Sequence, residues 1–261
     1  MPVAGGLYYE WAGNPDGEVL LLSAGLGGAS TYWEPNLAAF GERYRLLLYD
    51  HRGTGRSDRT LPMVVTVDDL VNYILTVLDA TRTERAHLLG HAAGGVAGLA
   101  AALKAPERVR KLIVVNGWAH PDPHFARCFD ARLSLLRDSG PEAYLRAQPL
   151  FLYPASWISA HHRTLEAELP HQLAAFAGAD AYEKRIAALR AFNITRNLGE
   201  IVTPTLVLAS RDDMLVPYTM SEWLAASLPS GQIYLMEWGG HACNVTDADT
   251  FETLVLDFLR R

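Results

Sequence analysis

The chain has 261 residues, 49% of them hydrophobic, with 23 Lys and Arg against 29 Asp and Glu for a formal net charge of -6. That length and apolar content suffice for one large core with an insertion, and the acidic balance leaves no basic footprint for nucleic acid, so the partner class is a small-molecule substrate. No stretch approaches the roughly 20 apolar residues of a membrane span, and the start Met1-Pro2-Val3-Ala4-Gly5-Gly6 has no basic segment followed by an apolar run. The expectation is a cytoplasmic protein with no membrane partner, a monomer or homodimer. Cys128 and Cys243 lack paired-cysteine spacing and read as free thiols rather than as a disulfide or zinc site.

Short apolar runs alternate with helical patterns along the first half, which predicts an α/β fold with a parallel sheet covered by helices. Val19 to Leu22 reads as a buried strand followed by the turn Gly25-Leu26-Gly27-Gly28, and Arg45 to Tyr49 as a second strand ending in Asp50-His51-Arg52-Gly53. Val67, Leu70, Val71, Ile74 and Leu78 recur at intervals of three and four behind Thr66, an N-cap residue type, so they predict the buried stripe of a helix. Ala86 to Leu89 is the next strand, Gly95 to Lys104 a small-residue helix suited to tight packing under a sheet, and Leu112 to Val115 another strand. The alternation stops after Asn116-Gly117-Trp118. From about 119 to about 197 only helical patterns, prolines and aromatic residues appear, which predicts a helical cap at 119-197 inserted into a core made of 1-118 and 198-261. Strand patterns return at Thr205 to Ala209 and Gln232 to Met236, and Phe251, Leu254, Val255 and Phe258 mark a final amphipathic helix.

Ligands in open α/β sheets bind at the carboxyl ends of the strands, so the loops there carry the candidates. At one of them Gly90-His91-Ala92-Ala93-Gly94 turns a strand into a helix. With its two flanking glycines this segment resembles the Gly-x-Ser-x-Gly nucleophile elbow of the α/β-hydrolase family, with Ala92 at the nucleophile position. A methyl group cannot attack a carbonyl, so any catalysis here works without an acyl-enzyme. The resemblance extends over nearly the whole chain and implies an α/β-hydrolase fold, a mostly parallel sheet flanked by helices with the cap inserted after the sixth strand. Gly25-Leu26-Gly27-Gly28 is either a plain glycine-rich turn or the loop that contributes one oxyanion-hole amide; the resemblance places that amide on Leu26 and its partner on Ala93. Ala24 departs from the His that many members carry before this Gly.

The same resemblance implies that Asp213, four residues before Pro217, is the acid of a catalytic pair, with Asp212 as the alternative, and that His241 in Trp238-Gly239-Gly240-His241 is its histidine. Trp118, Phe151, Tyr153 and Trp157 are expected to wall a substrate pocket above Ala92, with Gly25, Leu26 and Ala93 at its floor. His161, His162 and His171 lack metal-ligand spacing and read as solvated surface, so no metal and no cofactor is expected. Cys243, close to His241 but without an elbow, reads as a small buried residue. Asp50-His51-Arg52-Gly53 matches a structural turn of the family rather than an anion site.

A closer likeness lies in Asn116-Gly117-Trp118, in Gln148-Pro149-Leu150-Phe151-Leu152-Tyr153-Pro154-Ala155 and in Gly239 to Asp247. These segments resemble the branch of the family that hydrolyses 3-aminoacrylate or carbamate in pyrimidine and uracil nitrogen catabolism. The implied mechanism is acid-base catalysis by His241 and Asp213. The competing readings are a noncatalytic binding protein on the same fold and a cofactor-independent lyase or oxygenase.

Overall fold

In the computed structural model, which describes residues 2–261 and leaves Met1 outside, eight strands form one sheet. They are β1 (Val3–Ala4), β2 (Leu7–Gly13), β3 (Val19–Ser23), β4 (Arg45–Tyr49), β5 (Ala86–His91), β6 (Val109–Val115), β7 (Thr205–Ser210) and β8 (Gly231–Met236). Their spatial order is β1-β2-β4-β3-β5-β6-β7-β8, with β1, β2 and β4 joined by antiparallel pairing and every other neighbour parallel. The chain moves outward from β3 to β4 and then crosses back to β5. β3 and β5 therefore flank the point where the winding reverses, and the loops that follow them diverge to leave a crevice. The register sets Ser23 beside Gly90, so Ala24 and Gly25 emerge next to His91 and Ala92.

Side chains alternate across the sheet and build two cores. Leu21, Leu47, Leu88, Leu112, Val114 and Val207 face the helices Val67–Ala80 and Ala93–Lys104, and Leu20, Leu46, Leu89, Ile113 and Leu208 face Trp33, Phe40 and the final helix Ala248–Arg260. The helix Val67–Ala80 starts in a capping box: Asp69 N–H donates to Thr66 Oγ1 at 3.3 Å, and Thr66 N–H donates to Asp69 Oδ2 at 2.8 Å. Between β6 and β7 the chain is helical from Pro123 to Ala191, in the elements Pro123–Leu152, Ala155–Ala160, His162–Ala175 and Ala179–Ala191, the first broken at Gly140 where φ is 84°. Leu136, Tyr144, Leu145, Leu169 and Tyr182 give this insertion a small core of its own. Ile194 N–H donates to Ala119 O at 2.9 Å, which pins its two ends together. Among the described residues, no helix is long and apolar enough to cross a membrane.

The sequence pattern does not announce β1 and β2. They lie at the antiparallel edge, where β2 keeps only Leu7 and Tyr8 fully buried, so no continuous apolar run marks it. Nor does it announce the helix Tyr218–Ser227 or the short turns Ser30–Asn36 and Leu37–Gly41.

The helix Ala93–Lys104 is poor in large side chains because it lies nearly on the backbone of the sheet. A Cβ on Gly94 would collide with the carbonyl of Ser23, and one on Gly90 with the backbone of Gly94. Gly94→Ala is therefore expected to cost about 3 kcal/mol or more in urea denaturation, since neither backbone can yield easily. Gly199→Ala, with nothing within 4 Å of the added methyl, should stay within about 0.5 kcal/mol of wild type. Equal effects of the two substitutions would contradict the close approach.

Candidate active site

β5 ends at His91, and Ala92 takes φ 47° and ψ -107° before the helix begins at Ala93. This left-handed backbone is costly for a residue with a Cβ, on the order of 1–3 kcal/mol, and persists only where the surroundings enforce it. Here Ala92 N–H donates to Val115 O at 2.8 Å, and Ala92 O accepts from Val96 N–H at 2.9 Å, which starts the helix. No side chain caps this helix. The amide of Ala93 is one of the leading amides that a helix leaves without an internal acceptor.

Two neighbouring aspartates divide the work of the loop after β7. Asp213 Oδ1 accepts from the amides of Leu215 (2.7 Å) and Val216 (3.0 Å), which fixes the carboxylate and turns Oδ2 toward His241 Nδ1 at 2.8 Å. Asp212 instead accepts from Gly240 N–H at 2.8 Å. The partner of the imidazole is thus Asp213, and Asp212 holds the backbone just before it. Both members of the His241–Asp213 pair are buried. With Nδ1 committed to the carboxylate, Nε2 is the nitrogen of His241 left for chemistry.

His241 follows an outer strand yet reaches the centre of the sheet because its backbone is latched there. Its carbonyl accepts from Asn116 Nδ2 at 2.7 Å and from His91 Nε2 at 2.8 Å. Asn116 follows β6 with φ 48°, and its Oδ1 accepts from Ser210 N–H at 3.2 Å, so one side chain ties the ends of β6 and β7 to the histidine loop. A carbonyl can only accept, so His91 carries its proton on Nε2. Burial, then the nearby His241, hold its pKa well below the usual value and keep it neutral. Its bare Nδ1 lies where a Cβ on Gly25 would stand 2.7 Å away, which is why the loop after β3 needs glycine at this position. A last tie comes from the insertion: Ala242 N–H donates to Leu152 O at 3.0 Å.

Above these groups is a cavity of about 320 Å³. Gly25, Leu26, Ala92, Ala93 and His241 line it together with Trp118 and Tyr153, while Asp213 is bonded to Nδ1 of His241 and does not reach the lining. Two of the expected wall residues lie elsewhere. Trp157 packs against Tyr153 at 4.4 Å and stacks on His161 at 3.9 Å, and Phe151 sits beside the Arg132 guanidinium, 5.6 Å away. The insertion presents Leu152 and Tyr153 to the cavity instead. Which face a helix end turns inward depends on its packing, and an aromatic cluster in the sequence does not carry that information.

Cys243 is fully buried and does not line the cavity; burial pushes its thiol up to about 12. Arg52 is spent on Gly5 O and Asp58, away from the cavity, while Asp50 accepts from Ser30 and Arg56 and braces its own turn. His162 and His171 are exposed. Among the described residues, no group of three or more metal-ligating side chains forms.

Sequence reasoning missed two buried arginines of the insertion. Arg185 donates to the carbonyls of Leu26 (3.2 Å), Gly27 (3.3 Å) and Arg52 (2.5 Å), and so braces the loop after β3 from above. Arg132 lines the cavity itself. A signal was present for both. Arg132 falls in the buried stripe Phe125, Phe129, Leu133, Leu136, and Arg185 in the stripe Tyr182, Ile186, Leu189, each where the helical period calls for an apolar side chain.

Comparison with known proteins agrees with this architecture. A sequence profile described as the alpha/beta hydrolase fold matches residues 18–154. The chain is 52% identical, over 97% of its length and 96% of the relative's, to a protein of Caulobacter sp. (strain K31) provisionally named carbamate hydrolase RutD. It is 48% identical to a protein of the same name from Variovorax paradoxus (strain S110), covering 98% of this chain and 96% of the other. Among solved structures, the enol-lactonase from Burkholderia xenovorans LB400 superposes with a TM-score of 0.88 at 24% identity, over 98% of this chain and 96% of that one, and shares the fold.

Two outcomes follow from the geometry. Burial, and next the charge of Arg185, lower the pKa of His51 to about 3, and burial lowers that of His91 well below its ordinary 6.5. In the unfolded chain both take up protons below about pH 6.5, and in the folded chain neither does so until far lower pH. Stability should therefore be full above pH 6.5 and fall on acidification, by up to about 1.4 kcal/mol per pH unit for each histidine. Urea midpoints at pH 7.5, 6.5 and 5.5 check this, and a flat profile would contradict it. Second, wild type should resist a fluorophosphonate by intact mass, whereas Ala92→Ser should be labelled stoichiometrically at position 92. Adding His241→Ala should slow that labelling about 10²-fold or more. Labelling of wild type at Cys243 would reverse the assignment.

Proposed function

Since the chain belongs to the α/β-hydrolase family, we propose that it hydrolyses a carbon-nitrogen bond in a small substrate, 3-aminoacrylate or carbamate, without forming an acyl-enzyme. The observation that carries this reading is an intact His241–Asp213 pair, 2.8 Å apart, on a cavity where the nucleophile position holds only the methyl of Ala92. The names carried by the relatives support carbamate as a substrate class. The same reading assigns the enzyme to release of nitrogen in pyrimidine catabolism.

Neither reaction needs a nucleophile from the protein. Protonation of 3-aminoacrylate on C2 gives an iminium; water adds at C3, and ammonia leaves from the carbinolamine to give malonic semialdehyde. Carbamate takes a proton on nitrogen, and its C–N bond breaks to ammonia and carbon dioxide. His241 Nε2 delivers the proton in each case and deprotonates the attacking water in the first. Asp213 fixes the tautomer and stabilises the imidazolium. The amides of Leu26 and Ala93 receive an oxygen of carbamate, or the oxygen that water adds at C3 of 3-aminoacrylate. A positioned acid-base group supplies about 10²- to 10⁴-fold, roughly 3 to 5 kcal/mol, which suits reactions that already proceed in water.

The deciding assay generates 3-aminoacrylate in place, follows its decay and ammonia release, and runs carbamate in parallel. Wild type should accelerate one of the two. His241→Ala should lose about 10²- to 10⁴-fold, and Asp213→Asn should also slow the reaction by favouring the wrong tautomer. Equal rates for wild type, His241→Ala and buffer on both substrates would replace the hydrolase reading with that of a binding protein.

A further inference from the structure

Arg132 is 4% exposed and lines the same cavity as His241. Burying a charge is costly unless a partner compensates it, and a guanidinium stays charged while offering five donors. Arg132 uses few of them. Nη2 donates to Tyr144 Oη at 2.6 Å, Nε has no partner, and among the described residues Arg132 forms no ion pair. The rings of Phe129, Tyr144 and Phe151 surround the guanidinium at 5.1–5.6 Å, an arrangement that favours a cation without neutralising it.

Arg185 provides the contrast inside the same insertion. It is equally buried, but three backbone carbonyls occupy it, and its role is complete within the protein. Arg132 has no such set. No Asp or Glu lines the cavity, whose remaining polar side chains on the insertion include Gln148 and Gln172. The missing partner of Arg132 is therefore an anion that enters the cavity.

We infer that Arg132 binds the carboxylate of the substrate, and that the substrate is a small organic acid whose carboxylate is a separate group from the carbon losing nitrogen. This rests on the hydrolytic reading above and narrows it. Arg132 comes from the insertion and His241 from the loop after β8, so the cavity has a binding pole and a proton-transfer pole built from different parts of the chain. A carboxylate held at the first leaves the carbon-nitrogen end of a three-carbon enamine acid for the second. Carbamate has no group to spare, because its only carboxylate carries the bond that breaks.

The test measures binding without turnover, by ¹⁹F NMR titration of 3,3,3-trifluoropropionate and of its neutral isostere 3,3,3-trifluoropropanamide. A charge-assisted contact predicts that wild type prefers the acid by roughly 10- to 100-fold. Arg132→Met should erase that preference and leave amide binding within about twofold, which also shows that the cavity is still formed. Should that variant fail to fold by circular dichroism, Arg132→Lys decides: loss of the planar fork should weaken acid binding several-fold at constant amide affinity, and unchanged acid affinity overturns the assignment. Retained preference in Arg132→Met would place the carboxylate elsewhere, on the amides of Leu26 and Ala93, and equal binding of acid and amide by wild type would make Arg132 structural. Acid preference without any turnover would sink the hydrolytic reading and leave the carboxylate site standing, and turnover without acid preference would do the reverse.

Discussion

The helix Ala93–Lys104 lies so near the ends of β3 and β5 that neither Gly90 nor Gly94 has room for a Cβ, and this contact sets the backbone of Ala92. With the strand pinned on one side and the helix on the other, the residue between them has only a left-handed conformation left. In a serine hydrolase this strain presents the nucleophile. Here the strain is kept while the side chain is a methyl, so its remaining product is the direction of the chain itself. It starts a helix at Ala93 on the rim of the cavity, beside Gly25 and Leu26, which the register of Ser23 with Gly90 brings alongside.

The position of His241 is decided mainly by its backbone. Its carbonyl is held by Asn116 and His91, its preceding amide by Asp212, and its ring by Asp213. Three of these four groups touch no atom that would react, yet each removes a direction in which the loop could drift. The neutral state of His91 matters to this latch, since a second cation would stand against the imidazolium that acid-base chemistry at His241 requires.

Much of this arrangement was legible in the sequence because it is written in short local signals. Two glycines flank Ala92, Asp213 precedes Pro217 by four residues, and His241 follows a pair of glycines. The spacing to Pro217 favours Asp213 and leaves Asp212 as the alternative, because which carboxylate turns to the ring depends on the acceptor of the Leu215 and Val216 amides, a tertiary feature. Strand β2, second from the sheet edge, was hidden because its half-exposed residues give no apolar run. Trp157 and Phe151 were misplaced because an aromatic residue fits a pocket wall and a helix packing face equally well. Arg132 was overlooked for the opposite reason: a single arginine in a helix reads as surface until the apolar stripe around it is counted.

The hydrogen bond from Ala242 N–H to Leu152 O joins the histidine loop to the end of the first helix of the insertion, and Gly240 packs against the same carbonyl and against Pro154. A proton donor and the roof above it are thereby parts of one mechanical unit. Raising the roof breaks the bond beside His241, and disturbing the loop frees Leu152. The two displacements share a free energy, so whatever occupies the cavity and steadies the roof steadies the acid by the same amount. In amide-exchange terms, the Ala242 proton is the natural reporter of the whole enclosure, because it is lost to solvent only when roof and loop part.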